Sequence, residues 1–233
     1  MPKLDRSLIA GLPPFRGLGP DQLAEVVGDA RSARYPRDAV VFEQGAEAHS
    51  FFLMLDGYVR VARTTPDGAQ VIVRYIGDGE LFGIAAALGL TRYPATAAAA
   101  VDCVALIWPS NLWTQLATKF PSFAAGTYRT VGRRLEETQE RLVELTTERV
   151  EQRIAHAILR LIDQSGHEIA GGIEIDFPLT REDIAEMTGT TLHTVSRVLS
   201  AWGEAGHVGG TRQRVVVRNA QGLSRIAEGK STA

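Results

Sequence analysis

The sequence predicts an α+β protein: an N-terminal β-domain, a long amphipathic helix and a C-terminal winged helix-turn-helix. Three observations predict it. Asp-Gly pairs recur at Asp56-Gly57, Asp67-Gly68 and Asp78-Gly79, evenly spaced by eleven residues. Tyr128, Val131, Leu135, Thr138, Leu142 and Leu145 follow one another at intervals of 3, 4, 3, 4 and 3. Near the C-terminus, Gly189 separates two short helical patterns that precede a basic hairpin pattern.

The β-domain rests on turns and strands together. Asp-Gly is the strongest short hairpin signal, because both residues tolerate positive φ. Between these turns lie "YVRVART" and "VIVRYI", with partial period-two alternation and β-branched residues. "AVVFEQG" and "SFFLML" come before them, and "ATAAAAVDCVALIW" afterwards is long enough for two strands and a bend. Short strands at this spacing argue for a sandwich, jelly roll or barrel.

From Asn111 the pattern becomes helical. The 3-4 spacing is a heptad seam. Its flanks, "GRRLEETQERLVELTTERVEQR", are highly charged. Only the narrow seam is apolar, which favours a two-stranded dimer contact over packing against the chain's own domain. Thr138 within the seam weakens the contact and helps set its register. A second helical run, "VEQRIAHAILRLIDQSG", ends at Gly166, and a short alternating "IEIDF" follows.

The helix-turn-helix reads residue by residue. Thr180 caps a helix whose third residue, Asp183, completes an acidic capping box. Ile184, Met187 and Thr188 form its inner face, and Ala185 is small where two helices cross. Gly189 takes the left-handed conformation that stops the helix. Thr191 caps a second helix starting at Leu192. Val195, Val198 and Leu199 face inward, and Trp202 packs on the hairpin. Leu192, His193, Ser196, Arg197 and Ser200 point outward. A helix in the major groove reads bases with residues near its N-terminus. Arg197 can pair with guanine O6 and N7, worth roughly 1–3 kcal/mol of discrimination. Ser196 can bond a base edge or a phosphate, and the amides behind Thr191 favour a phosphate. Arg212, Arg214 and Arg218 on the hairpin form a positive patch: from Thr191 to Ala220 there are four Arg and one Glu. The candidate DNA-binding set is therefore Thr180, Thr191, Leu192, His193, Ser196, Arg197, Ser200, Arg212 and Arg214.

The totals bound the reading. The 233 residues are 45% hydrophobic and 22% charged, enough for two modest cores, and the net charge of −2 hides the local patch. No apolar run approaches the ~20 residues that span a bilayer. The N-terminus lacks a signal-peptide h-region, so a cytoplasmic protein without membrane contact is expected. The one cysteine, Cys103, lies in an apolar run and is expected to be a small buried residue rather than a redox group. No nucleophile–base set, metal-ligand spacing or phosphate loop appears, which argues against an enzyme and against a metal site. His49, His156, His167, His193 and His207 are scattered.

The chain resembles the CRP/FNR family of bacterial transcription regulators over nearly its whole length. The stretches that carry the resemblance are "VVFEQGAEAHSFFLMLDGYVRV" and "YIGDGELFG" in the β-domain, the central seam, and "LTREDIAEMTGTTLHTVSRVLSAWGEAGHV". The resemblance implies a β jelly-roll sensor domain of the cyclic-nucleotide-binding type at residues 1–118, a dimerisation helix at 119–147 and a winged helix-turn-helix at 148–233. It also implies a homodimer that binds a two-fold symmetric double-stranded operator and recruits or blocks RNA polymerase. The tip resembles the FNR side, whose pattern is Glu-x-x-Ser-Arg. Ser196 and Arg197 match; His193 stands in place of Glu. A Glu would accept from cytosine N4, whereas a neutral His accepts or donates, so the half-site is expected to be related to TTGA-type sequences without being identical.

The resemblance also addresses the effector. Cyclic-AMP binders carry a Gly-Glu-Leu and, about ten residues later, an Arg-Ser pair. Here Ile84 stands at the Glu and Pro94-Ala95 at the Arg-Ser, so cyclic AMP is not expected. Phe82, Gly83, Ile84, Ala85, Arg92, Pro94, Ala95 and Thr96 are the candidate effector pocket for another small ligand; "GIAAALGL" can equally be plain core. The FNR-type cluster cysteines are absent, which removes the iron–sulfur reading. A haem sensor stays open, since "YPATA" resembles segments of nitric-oxide-responsive members. Yet haem usually wants a proximal His, Cys or Met, and the only β-domain histidine, His49, sits in a turn. Regulation by abundance alone is a third option. The rival to DNA binding is a ligand-binding signalling module whose C-terminal domain serves protein contacts.

Overall fold

The structure, a computed structural model, describes residues 7–230 and opens with helix rather than strand. Helix α1 (Ser7–Ala10), a 3-10 turn at Pro13–Phe15 and α2 (Pro20–Gly28) precede the sheets. Pro20 starts α2, where a missing N–H costs nothing. Leu23 and Val26 then fall on one face and are buried. Eight strands follow: β1 (Arg31–Tyr35), β2 (Val40–Phe42), β3 (Ser50–Asp56), β4 (Val59–Thr64), β5 (Gln70–Ile76), β6 (Leu81–Phe82), β7 (Thr96–Ala99) and β8 (Cys103–Pro109). They form two four-stranded sheets, ordered β1-β8-β3-β6 and β2-β7-β4-β5. The Asp-Gly positions lie in the turns, with φ of 94° at Gly57, 88° at Gly68 and 77° at Gly79.

Strand β3 reads as a continuous apolar run because both of its faces are buried. Phe51 and Leu53 join one core; Phe52 and Met54 join the other. Strand β8 does the same: Leu106 and Trp108 face the first core, Cys103, Ala105 and Ile107 the second. The second core is the interior between the two sheets. The first lies against helices, where α1 and α2 meet α3 (Leu112–Lys119) and the start of α4 (Pro121–Thr147). Phe51 stacks on Trp108 at 5.3 Å and meets Trp113 edge-on at 5.7 Å. Trp108 donates from Nε1 to the Val26 carbonyl at 2.7 Å, which satisfies the one polar atom of a fully buried ring.

Helix α4 runs 27 residues. Along the seam, Tyr128, Leu135, Leu142 and Leu145 are exposed by 53%, 57%, 62% and 49%, so the single chain leaves them uncovered. Thr138 is exposed as well, whereas Val131 is half-buried and packs on the first core. The expected seam residue Val131 is thus partly claimed by the chain's own core.

The chain divides into two units, and Thr65–Val73 together with the residues from Thr138 onward make the second. Its elements are α5 (Val150–Ser165), β9 (Gly166–Ile169), β10 (Gly172–Ile175), α6 (Arg181–Thr188), α7 (Leu192–Glu204), β11 (Val208–Thr211), β12 (Arg214–Val217) and α8 (Ala220–Ala227). The sheet order is β11-β12-β10-β9, all antiparallel. Two elements go beyond the sequence reading. "HEIAGGIEI" is a hairpin of two strands, not one. Helix α8 follows Asn219, whose side chain accepts from Gly222 N at 2.8 Å.

Cys103 is 2% exposed, with Sγ 3.2 Å from the Tyr58 carbonyl and 3.1 Å from that of Val101. Burial pushes its thiol up from the ordinary value, which suppresses the reactive thiolate. An Ellman-type reagent at pH 8 is expected to leave the folded protein unlabelled over minutes and to titrate the thiol at once in denaturant. Stoichiometric labelling of the folded protein within seconds would contradict the packing described.

Candidate nucleic-acid interface

Helices α6 and α7 are placed by two caps and a glycine. Thr180 accepts from Asp183 N at 3.0 Å, and Asp183 Oδ2 accepts from Thr180 N at 2.8 Å, a reciprocal capping box. Gly189 ends α6 at φ 62°, ψ 44°, with its N–H on the Ala185 carbonyl. The left-handed angle favours glycine, and an added Cβ would stand 3.2 Å from Leu145 Cδ2. Thr191 then accepts from Thr194 N at 3.2 Å and opens α7.

The inner face of α7 is Val195, Val198, Leu199 and Trp202, all buried; Ile184, Ala185 and Thr188 of α6 are buried too. Met187 is half-buried. The outer face of α7 carries Leu192, 51% exposed, with His193, Arg197 and Ser200 also exposed and Ser196 half-buried. The sequence-predicted tip is therefore brought together on one surface at the capped start of one helix.

Other candidates have partners inside the protein. Thr180 is half-buried, and its hydroxyl is bonded to Asp183 Oδ2 at 2.6 Å, so its main use is the cap. On the hairpin β11–β12, Arg212 is exposed in the connecting turn, while Arg214 Nε lies 3.3 Å from Glu174 Oε1 on β10. Arg218 lies across Gly209, within 2.7 Å of where a Cβ there would be. Arg197 itself has a neighbour the sequence reading missed: its Nη2 is 3.9 Å from Oε1 of Glu151, in the first turn of α5. No spacing rule links positions 46 residues apart on different helices.

The residues of the candidate effector segment divide between two cores and the surface. Ile84 packs in the helix-side core, whereas Phe82 and Ala85 pack in the core between the sheets. Phe82 stacks with Phe52 at 4.9 Å, and Phe42 stacks on Tyr93 at 3.9 Å. Gly83 is at φ 63°, and a Cβ there would stand 2.8 Å from the Phe52 ring. Arg92 is exposed and donates from Nη1 to the Gly45 carbonyl at 2.6 Å; Thr96 accepts from Gln44 N at 3.0 Å. Pro94 is exposed and Ala95 buried. Phe82, Ile84 and Ala85 are thus packed in the two cores, and Arg92 and Thr96 are bonded to the loop at Gln44 and Gly45. His49 is exposed in the loop just before β3, with Nε2 3.1 Å from Glu47 Oε2.

A charged cluster beside this segment also went unread in the sequence. Arg134 of α4 donates to the Leu81 carbonyl at 2.7 Å and to Glu80 at 3.2 Å, and Arg74 of β5 pairs with Glu137 at 3.2 Å. Burial pulls the pKa of both arginines down, and the neighbouring carboxylates oppose that shift. The spacing of three marks only that Arg134 and Glu137 share a face of α4; their partners, Glu80 and Arg74, are remote in the chain.

Residues 32–120 match the cyclic nucleotide-binding domain family and residues 152–226 the Crp-like helix-turn-helix domain. The cyclic AMP receptor protein of Thermus thermophilus is 32% identical over 94% of this chain and 98% of its own length. The chain belongs to the CRP/FNR family of transcription regulators. The nitrogen fixation regulation protein FixK of Azorhizobium caulinodans is 26% identical over 91% of this chain and 86% of its own. In fold, the protein matches FixK2 from Bradyrhizobium japonicum with a TM-score of 0.75 at 23% identity, covering 88% of this chain and 98% of that one.

As a CRP/FNR member the protein carries a Crp-like helix-turn-helix domain, in whose matched span α6 and α7 lie, and CRP-family regulators bind DNA and act as homodimers. Among the described residues no helix is long and apolar enough to cross a membrane. The family contains a receptor named for cyclic AMP and a regulator named for fumarate and nitrate reduction. The single cysteine of this chain is one ligand, where a cluster needs about four.

Proposed function

We propose that the protein is a homodimeric operator-reading regulator in which α7 enters the major groove and Arg197 is the principal base-reading side chain. The observation that carries the reading is the surface at the start of α7. A 67% exposed Arg197 stands beside Ser196 and His193, above a buried Val195, Val198 and Leu199 face. Arg197 suits bidentate pairing with guanine, Leu192 suits a thymine methyl, and Ser196 and Ser200 suit base edges or phosphates. Thr191 holds the helix start whose free amides favour a phosphate, and Arg212 and Arg214 supply backbone charge from the wing. Thr180 contributes by fixing α6. Tyr128, Leu135, Leu142 and Leu145, with Thr138 between them, form the dimer seam, and Val131 borders it. The dimer recruits or blocks RNA polymerase from the bound operator. The protein works in the cytoplasm and is not an enzyme.

We further propose that the sensor domain does not take cyclic AMP. Ile84 and Ala95, which stand where such a ligand's polar partners are expected, are 6% and 6% exposed and offer no charge to a phosphate. Haem gains no support either, because His49 is exposed in a loop rather than buried beside an apolar site.

Arg197→Ala is expected to lower operator affinity about 10- to 100-fold while the dimer survives in sedimentation; retained sequence preference would sink the role given to Arg197. His193→Glu is expected to shift the sequences selected from a randomised duplex pool toward FNR-type half-sites, and an unchanged selection would show that His193 reads no base. Calorimetry with cyclic AMP is expected to show no heat of binding. A micromolar Kd would overturn the assignment of Ile84 and Pro94-Ala95.

A further inference from the structure

We infer that Glu151 is a specificity-determining residue of this surface: it positions the Arg197 guanidinium and opposes its use on phosphate. The inference rests on the reading of Arg197 given above. Glu151 belongs to α5, not to the reading helix, yet its Oε1 comes within 3.9 Å of Arg197 Nη2. Glu151 stands in the first turn of α5, where the free amides favour an acid. Arg153, two residues on, turns its donors elsewhere. That guanidinium is committed to the carbonyls of Thr188 at 3.1 Å and Glu148 at 3.0 Å.

The pair is exposed, 67% at Arg197 and 41% at Glu151, so it adds little to folding stability. Its effect falls on binding. A phosphate that approaches Arg197 also approaches the Glu151 carboxylate, and like charges repel. A guanine edge is neutral overall and presents two directed acceptors, so it engages the guanidinium with less repulsion. The carboxylate also biases the guanidinium toward this side of α7 before DNA arrives. Weakening the wrong contact more than the right one raises specificity.

The test compares wild type, Glu151→Gln, Glu151→Lys and Arg197→Ala by fluorescence anisotropy. The two probes are a duplex selected by the wild-type protein from a random pool and a scrambled duplex, each at several salt concentrations. Glu151→Gln is expected to bind scrambled DNA about fivefold tighter and the selected duplex within about twofold of wild type, so the ratio falls severalfold. Glu151→Lys is expected to lower the ratio further. On scrambled DNA the slope of log K against log salt is expected to steepen by about 0.9 in Glu151→Gln, as Arg197 gains a phosphate. Loss of a helix-end interaction alone would lower Tm and leave the ratio in place. A ratio within twofold of wild type in both Glu151 variants overturns the assignment. If Arg197→Ala loses its preference while they keep theirs, only the role of Glu151 fails. If Arg197→Ala keeps its preference, the reading of α7 fails and takes this one with it.

Discussion

Gly189 holds its backbone at φ 62°, ψ 44°, and the usable face of α7 follows from that angle. The left-handed residue ends α6 and sends the chain back so that α7 packs against α6, with Val195 and Val198 buried on one helix and Ile184 and Ala185 on the other. Helical spacing then dictates the rest. Once Val195, Val198 and Leu199 are inside, His193 and Arg197 must be outside and four residues apart, one above the other. A residue with a Cβ would be strained at this φ, and a changed turn would rotate the whole outer set away from its direction. The Thr180–Asp183 box supports the same arrangement from the other end of α6 by satisfying orphan donors at its start.

Electrostatics on this surface is local. A net charge of −2 says nothing of where the arginines sit, and the sheet beneath the wing shows why the distribution matters. Arg214 faces Glu174, Arg197 faces Glu151, and Arg212 stands exposed at the turn. Two of the three arginines proposed to face DNA are thus paired with carboxylates within the protein. Such pairs cost little to open in water and make phosphate engagement less favourable than a count of basic residues suggests.

In the β-domain the governing constraint is burial of both faces of β3 and β8. One face packs on helices and the other on the second sheet, so the segment from Phe82 to Ala85 is divided between two cores. Aromatic stacking of Phe42, Phe52, Phe82 and Tyr93 fills the space between the sheets. Charge enters this unit through Arg74, Glu80, Arg134 and Glu137, where each buried guanidinium has a carboxylate partner, as burial requires.

The sequence by itself determined the local rules. Asp-Gly turns, both caps, the glycine stop, the buried valines of α7 and the exposed seam are short-range chemistry, legible because each depends on residues within about one or two helical turns or one hairpin. Helix α8 and strand β9 were less legible: their patterns are short, and β9 exists because β10 pairs with it on one side and with β12 on the other. The tertiary structure alone decided which polar groups meet. Glu151 reaches Arg197, Glu174 reaches Arg214, and Arg134 reaches Leu81, across 46, 40 and 53 residues of chain. A long charged side chain carries no periodic mark of its partner, since its partner is set by how rigid elements pack and not by its place in the chain.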